Sequence, residues 1–313
     1  MLQNESLVYA VWRVRKQVKC SNEIHNVYTG RNISVAILDT GIFLHPDLFS
    51  RILLFKDFVN NKREPYDDSG HGTHVAGCLA GNGTLSKGKY RGIAPECNLI
   101  IGKVLDKNGN GRIEYILNAL YWILENEQKY KIRILNISIS FSGLASRDKI
   151  KIVRDLLYEV SMRNILIITA AGNSGPKAGS ISPLGLSNEI LCVGCHDMDY
   201  RLKKGKLCES YSARGPGIFS VKKPDLVAPG TNIQSISSKV ELRNEVYINA
   251  YESRSGTSFS TPIVSGAAAL LLQKEPDLKR EELKQRICYG TTDLREPWNK
   301  QGWGMLNITK ILQ

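Results

Sequence analysis

Short, continuous apolar runs rich in β-branched residues constrain the fold of this chain more than any other feature. Five such runs predict strands, at residues 34–38, 99–105, 134–139, 165–169 and 190–193. Their apolar residues are consecutive rather than alternating, which is typical of parallel strands that are covered on both faces. We therefore predict an α/β protein with a central, mostly parallel sheet.

Amphipathic helical patterns lie between these runs. One stripe contains Ile116, Leu120 and Ile123, and a second contains Val153 and Leu157. Strands that alternate with such helices predict one sheet with helices on both faces. No linker rich in Pro, Gly or Ser divides the 313 residues, and no internal repeat is visible. We expect one large domain over residues 25–313, preceded by a short N-terminal extension over residues 1–24.

The charge balance leaves several classes of partner open. With 42 basic and 30 acidic residues, the formal net charge is +12, which suits a nucleic acid, an anionic membrane or an acidic polypeptide. The densest basic runs, residues 13–16 and 201–206, have no aromatic or helix-turn-helix context, and we interpret both as solvated. Nucleic-acid binding is therefore the weaker hypothesis, and we expect no nucleic-acid partner.

Targeting signals and cysteines predict the cellular compartment. No apolar run approaches the roughly 18 residues of a membrane-spanning helix, so no membrane association is expected. The first apolar stretch, residues 7–12, follows an acidic residue and does not resemble a secretory signal. The seven cysteines lie mostly inside apolar runs, and we predict that they are reduced core residues. A cytoplasmic protein follows from these observations.

Three segments with polar residues lie where an open parallel sheet binds its ligands, near the carboxyl ends of strands and the starts of helices. Asp39 ends the first predicted strand, His71 and His74 lie in the first turn of one helix, and Ser258 begins another. Taken singly, each has an ordinary use as a cap or turn residue. The two histidines could also bind a metal, but further ligands in zinc spacing are missing. A general base with a second, structural histidine is the favoured interpretation.

Together, the three segments resemble the subtilisin-like serine peptidases, or subtilases. The matching segments are Asp-Thr-Gly at residues 39–41, Gly-His-Gly-Thr-His-Val-Ala-Gly at 70–77 and Gly-Thr-Ser-Phe-Ser-Thr-Pro at 256–262. The order Asp, His, Ser is also that of the family. The resemblance implies a single subtilisin-like domain, and the chain is most similar to the intracellular bacterial branch.

This resemblance implies a role for each site residue. Asp39 would orient His71, which would act as the general base for the nucleophile Ser258. Asn173, in the Gly-Asn-Ser-Gly segment at residues 172–175, would complete an oxyanion hole. A polypeptide substrate would pair with two backbone edges that include Leu105, Gly109 and Gly111 on one side and Ser138, Ile139 and Ser140 on the other.

The predicted function is that of a serine endopeptidase, used either for general intracellular turnover or for processing of a dedicated precursor. A non-hydrolytic scaffold is the rival hypothesis, and a replaced triad residue would favour it; none is replaced.

No cofactor is expected to be required and no metal site is assigned. Calcium remains possible at an unidentified site. The calcium-loop pattern that begins at Asp106 has Leu117 where a Glu ligand is needed. The haem-attachment pattern at residues 192–196 lacks an export signal. The oligomeric state is open.

Overall fold

A parallel sheet of seven strands forms the centre of the computed structural model, which describes residues 10–139, 147–200, 206–216 and 222–313. The strands lie in the order β2-β3-β1-β4-β5-β6-β7, and every neighbouring pair is parallel. They are β1 (Ser34–Asp39), β2 (Ile52–Asp57), β3 (Asn98–Lys103), β4 (Ile132–Ile137), β5 (Leu166–Ala170), β6 (Leu191–Cys195) and β7 (Leu226–Ala228).

Two short antiparallel pairs, nine α-helices and four short 3-10 helices are the other elements of the described residues. The pairs consist of β8 (Ile233–Ile236) with β11 (Tyr251–Arg254), and β9 (Glu241–Arg243) with β10 (Val246–Ile248). The helices are α1 (Ala10–Gln17), α2 (Asn22–Val27), α3 (His71–Ala80), α4 (Ile113–Tyr130), α5 (Arg147–Met162), α6 (Thr257–Lys274), α7 (Arg280–Tyr289), α8 (Trp298–Gln301) and α9 (Ile308–Ile311).

The two faces of the sheet pack against different helices. On β1, Val35 and Ile37 belong to one apolar cluster, which also contains most of α6. Ala36 and Leu38 belong to a second cluster, which includes the buried sides of α4 and α5. Successive side chains of a strand point to opposite faces, so continuous apolar runs supply both clusters. The predicted parallel sheet with helices on both faces is confirmed.

The five predicted strands are all present, with their ends within two residues of the predicted ones. Two strands of the sheet were not predicted. The edge strand β2 contains Lys56 and is only partly buried, which breaks the apolar run. The other, β7, has three residues. Within the described residues, none of the helices combines the length and apolar content that a membrane crossing needs.

The prediction that all the cysteines are reduced is wrong for one pair. Cys195, at the end of β6, forms a disulfide with Cys208. The sequence did not reveal this pair because it depends on the path of the chain after β6. The other five cysteines are free and buried, and burial raises the pKa of each thiol to about 12. Cys195 is also unavailable for the haem attachment that its sequence pattern suggested.

The prediction of a solvated basic run at residues 13–16 is also wrong in part. Arg15 is only 7% exposed, and the Arg13 guanidinium donates to the Thr231 carbonyl oxygen over 2.5 Å. Val14 and Val18 both belong to the apolar core, because α1 packs against β8. The described part of the N-terminal extension is therefore packed on the domain, while its boundary at residue 24 stays a prediction. Of the second basic run, only Lys206 is described, and it is exposed.

Candidate active site

The predicted site residues converge at the carboxyl ends of the central strands. Asp39 is the last residue of β1, and Asn173 follows β5 after a short turn. Two helices begin at the same place, α3 with His71 and α6 with Thr257 and Ser258, and these helices pack against each other. The start of a helix is electropositive and has unpaired N–H groups, so this corner of the fold favours negative charge.

A short hydrogen bond joins the first two of these residues. His71 Nδ1 donates to Asp39 Oδ1 over 2.6 Å, and the Thr40 N–H donates to the same oxygen over 2.8 Å. Asp39 is fully buried, whereas 23% of the His71 side chain is exposed. Because Nδ1 carries the proton, Nε2 of a neutral His71 is left as a proton acceptor.

The electrostatics of His71 favour the protonated form of its imidazole. Burial lowers the pKa of the imidazole, but the charge of Asp39 and the hydrogen bond to it outweigh this effect, and the net pKa of His71 is raised. The nearby Arg254 guanidinium lowers it to a smaller extent. His71 therefore becomes charged more readily than an isolated histidine, as a group that receives a proton during a reaction should.

A buried carboxylate holds the loop that leads to His71. Asp67 accepts hydrogen bonds from the Thr40 hydroxyl, from the N–H groups of Ser69 and Gly70, and from both the N–H and the hydroxyl of Thr73. Burial raises the pKa of Asp67, but these donors lower it by more, so it stays below its usual value. Asp67 thus fixes the start of α3 relative to the turn that follows Asp39.

The second histidine of the motif is part of the packing. His74 is fully buried, and its Nε2 donates to the carbonyl oxygens of Ile233 and Glu252 over 3.0 and 3.2 Å. Burial, with smaller contributions from the charges of Arg254 and His71, lowers its pKa to about 3. His74 is consequently neutral at physiological pH, and it joins α3 to β8 and β11.

Asn173 is held by the segment that precedes the serine. Its Oδ1 accepts hydrogen bonds from the N–H of Thr257 over 3.0 Å and from the Thr257 hydroxyl over 3.1 Å. An N–H can only donate, so the atom that accepts it must be the amide oxygen. The Nδ2 group therefore lies on the other side of the amide and is left as a donor.

The close approach between this amide and the serine helix requires a glycine. Gly256 has φ of +151°, and a Cβ at this position would lie 3.3 Å from Asn173 Nδ2. The residue after Ser258 in the chain is Phe259, and the centroid of its ring lies 5.2 Å from that of the His71 ring. Ser258 thus lies between a residue that binds Asn173 and a residue that contacts His71.

The predicted substrate edges flank β1 on both sides. Leu105 follows β3, and Ser138 and Ile139 follow β4, which are the two strands beside β1. Beyond Leu105, residues 106–110 close a turn in which the Asp106 N–H donates to the Asn110 carbonyl oxygen over 2.8 Å. This turn leaves Gly109 and Gly111 exposed. Ser138 and Ile139 are buried, and Ser140 lies outside the described residues.

Sequence reasoning missed the side chains that support these groups, chiefly Asp67 and Lys103. A single lysine inside the otherwise apolar run at residues 99–105 was the available signal for Lys103, which the structure shows to be fully buried. In the part of the chain that the structure describes, no three His, Cys, Asp or Glu side chains are grouped to hold a metal ion. In the loop with the calcium-like pattern, Asp106 Oδ1 accepts the N–H groups of Asn108 and Asn110.

Comparison with known proteins agrees with this geometry. A family model described as the Subtilase family matches residues 30–304. The chain belongs to the subtilase family. This subtilase is 41% identical over 292 residues to the serine protease AprX of Bacillus subtilis, in an alignment that covers 89% of this chain and 66% of AprX. The chain therefore spans slightly less than two thirds of the length of that relative.

Two further similarities support the assignment. An intracellular serine protease of Paenibacillus polymyxa is 32% identical to this subtilase over 301 residues, covering 92% of this chain and 82% of the relative. Among solved structures, sphericase superposes with a TM-score of 0.75 at 25% identity, covering 95% of this chain and 97% of sphericase. The predicted family, the single subtilisin-like fold and the class of serine protease are confirmed.

Proposed function

We propose that this subtilase is an endopeptidase that hydrolyses internal peptide bonds of polypeptides with Asp39, His71 and Ser258 as its catalytic triad. The observation that carries the proposal is the 2.6 Å bond from His71 Nδ1 to Asp39 Oδ1. It fixes the tautomer in which Nε2 accepts a proton, and the serine helix begins beside that ring.

The chemistry follows from these positions. Ser258 Oγ attacks the carbonyl carbon of the substrate while His71 Nε2 takes its proton, and Asp39 stabilises the resulting imidazolium. The oxyanion lies between Asn173 Nδ2 and the Ser258 N–H at the start of α6. His71 then gives the proton to the leaving amine. Water, activated in the same way, hydrolyses the acyl-enzyme and restores Ser258.

Recognition of the substrate uses backbone rather than one side chain. β1 lies between β3 and β4 and ends at Asp39. A polypeptide inserted between the segment after β3 and the segment after β4 would occupy the place of a continued β1. Gly109 and Gly111 would pair with it on one side, and Ser138, Ile139 and Ser140 on the other. Because backbone pairing is independent of sequence, it suits an enzyme that cleaves inside varied polypeptides.

Digestion of a diverse peptide library, read by mass spectrometry, tests the endopeptidase proposal. We expect cleavage at internal bonds, and we expect it to disappear after treatment with a serine-directed phosphonylating reagent. Release of terminal residues alone would show an exopeptidase instead. Cleavage that persists after complete labelling would show that the triad is not responsible.

Asn173→Leu should lower kcat about 10²- to 10³-fold with little change in KM, a magnitude taken over from the equivalent substitution in subtilisin. The amide would meet charge that appears only in the transition state, so its loss should not weaken binding of the ground state. Steady-state kinetics on an unactivated peptide measure the effect, after circular dichroism has verified folding. A folded variant with wild-type kcat would exclude the oxyanion role.

We further propose a cytoplasmic location and no obligatory cofactor. Five buried free thiols and a relative named an intracellular serine protease support the location, whereas the Cys195–Cys208 disulfide is more typical of an oxidising compartment. Fractionation of the producing cells decides between the two. Activity that survives exhaustive treatment with a chelator would support independence from calcium.

A further inference from the structure

Lys103, the last residue of β3, is a fully buried cation at the edge of the active site. Its ammonium group donates three hydrogen bonds: to the Thr40 carbonyl oxygen over 2.5 Å, to Asp68 Oδ1 over 2.8 Å and to the Leu105 carbonyl oxygen over 2.9 Å. An ammonium has three donors, so its hydrogen-bonding capacity is completely used. Charge-assisted bonds of this kind are among the stronger ones in proteins.

The three acceptors belong to three different parts of the site. Thr40 follows Asp39 directly, and Asp68 lies in the loop that leads to His71. Leu105 begins the segment that we propose as a substrate edge. One buried side chain therefore joins the turn after Asp39, the loop before His71 and the base of the substrate edge.

The backbone around Lys103 strengthens the connection to Asp39. The two residues are paired in the register of β3 and β1. The Asp39 carbonyl oxygen accepts the N–H groups of Val104 over 2.9 Å and Leu105 over 3.3 Å. In addition, the Lys103 side chain donates hydrogen bonds to the carbonyl oxygens of Thr40 and Leu105. The start of the edge segment is thus held to the catalytic turn through both its N–H groups and its carbonyl oxygen.

We propose that Lys103 is a positioning residue that sets the distance between the substrate edge and the Asp39–His71 pair. This inference rests on the proposed function. With the Leu105 carbonyl oxygen held, the turn at residues 106–110 projects from a fixed base, and a polypeptide paired with Gly109 and Gly111 presents its scissile bond to Ser258. Small displacements of a bound substrate cost large factors in rate, so a rigid base has a functional effect.

A general contribution to stability is the alternative role for a buried lysine, and the chain offers a matched control. Lys223 is 1% exposed and donates to one carboxylate, Asp225 Oδ2, over 2.6 Å and to one carbonyl oxygen, that of Ile190, over 2.9 Å. It precedes β7, the edge strand on the far side of the sheet from β3, and lies at the starting ends of the strands. Losing Lys223 leaves the Cys192 N–H as a donor to Asp225 Oδ2 and the Lys284 ammonium as a donor to the Ile190 carbonyl oxygen. Losing either lysine still removes a buried cation from its hydrogen-bond partners, so both losses should destabilise the fold.

The experiment compares Lys103→Met with Lys223→Met on two substrates. One is a peptide amide with four residues before the scissile bond, which spans the edge segment; the other is an acetylated single-residue ester, which does not reach it. Active-site titration counts the competent enzyme. For Lys103→Met we expect kcat/KM on the peptide to fall about 10- to 100-fold, mainly through kcat, with the ester changed less than about threefold. Lys223→Met should lower the melting temperature and leave both rates per titrated site near wild type.

Asp68→Ala provides a second variant if Lys103→Met does not fold. The Asp68 side chain is 37% exposed, so its truncation is tolerated more easily, and it cuts the same connection from the side of the His71 loop. A selective fall in kcat/KM for the peptide, smaller than that of Lys103→Met, would support the inference. Equal losses on both substrates, or peptide kinetics unchanged in every folded variant, would overturn it. A wild-type enzyme that cleaves neither substrate would contradict the proposed function instead.

Discussion

Ser258→Ala is expected to abolish peptide hydrolysis, with a loss of about 10⁶-fold in kcat, the size found when the nucleophile of subtilisin is removed. Without Oγ there is no group to form the acyl-enzyme, and only binding and the oxyanion donors remain. The measurement is cleavage of a long peptide at high enzyme concentration, together with labelling by a phosphonylating reagent. Wild type should be labelled once, at Ser258, and the variant not at all.

Ser260→Ala is the matched control for this variant. Ser260 lies two residues further along α6, is fully buried and donates to the Ala228 and Pro229 carbonyl oxygens over 3.2 and 3.0 Å. Its loss should affect stability but not labelling at Ser258. Substantial hydrolysis by Ser258→Ala, or labelling at another residue, would refute the nucleophile assignment.

Asp39→Asn should lower kcat about 10⁴-fold and move the acid limb of the pH–rate profile to lower pH. An amide can donate to His71 Nδ1 and so favour the tautomer whose Nε2 already carries a proton, which accounts for the loss. The shift has a different cause. Asp39 raises the pKa of His71, so protonated, inactive enzyme persists to higher pH in wild type than it will in the variant. Profiles of kcat/KM against pH measure both effects.

Asp57→Asn controls for the loss of a buried carboxylate at the end of a strand. Asp57 ends β2, is 1% exposed and accepts N–H groups from Val59, Asn60 and Lys62. Its substitution should lower stability and leave the acid limb where it is in wild type. An acid limb of Asp39→Asn that stays in place or moves to higher pH would show that Asp39 does not set the pKa of His71.

Local patterns were sufficient for the architecture and for the residues proposed as catalytic. Continuous apolar runs predicted β1, β3, β4, β5 and β6, because a strand buried on both faces must be apolar throughout. Three motifs in the order Asp, His, Ser indicated the family, and the structure brings Asp39, His71 and Asn173 to the same end of the sheet. The inferences about the sheet and the family succeeded because each depends on a few residues that are close together in sequence, and the catalytic roles stay predictions.

The buried polar side chains that hold the site in place were harder to identify from the sequence. Asp67 was not singled out from the sequence, and only the fold shows that five donors from four residues meet at its carboxylate. Arg15 looked like part of a solvated basic run, yet it is buried beside His25, whose Nδ1 lies 3.1 Å from its Nη1. In both cases the residue type was visible, but its partners were not.

The sequence by itself therefore determined the parallel sheet and the family, and it singled out Asp39, His71, Ser258 and Asn173 as candidate site residues. Only the tertiary structure decided that Cys195 pairs with Cys208, and that Lys103 joins Thr40, Asp68 and Leu105. The physical reason is the range of the interactions. Apolar periodicity and motif spacing are written within a few consecutive residues, whereas the partner of a buried polar or sulfur group is set by segments that folding brings together from distant parts of the chain.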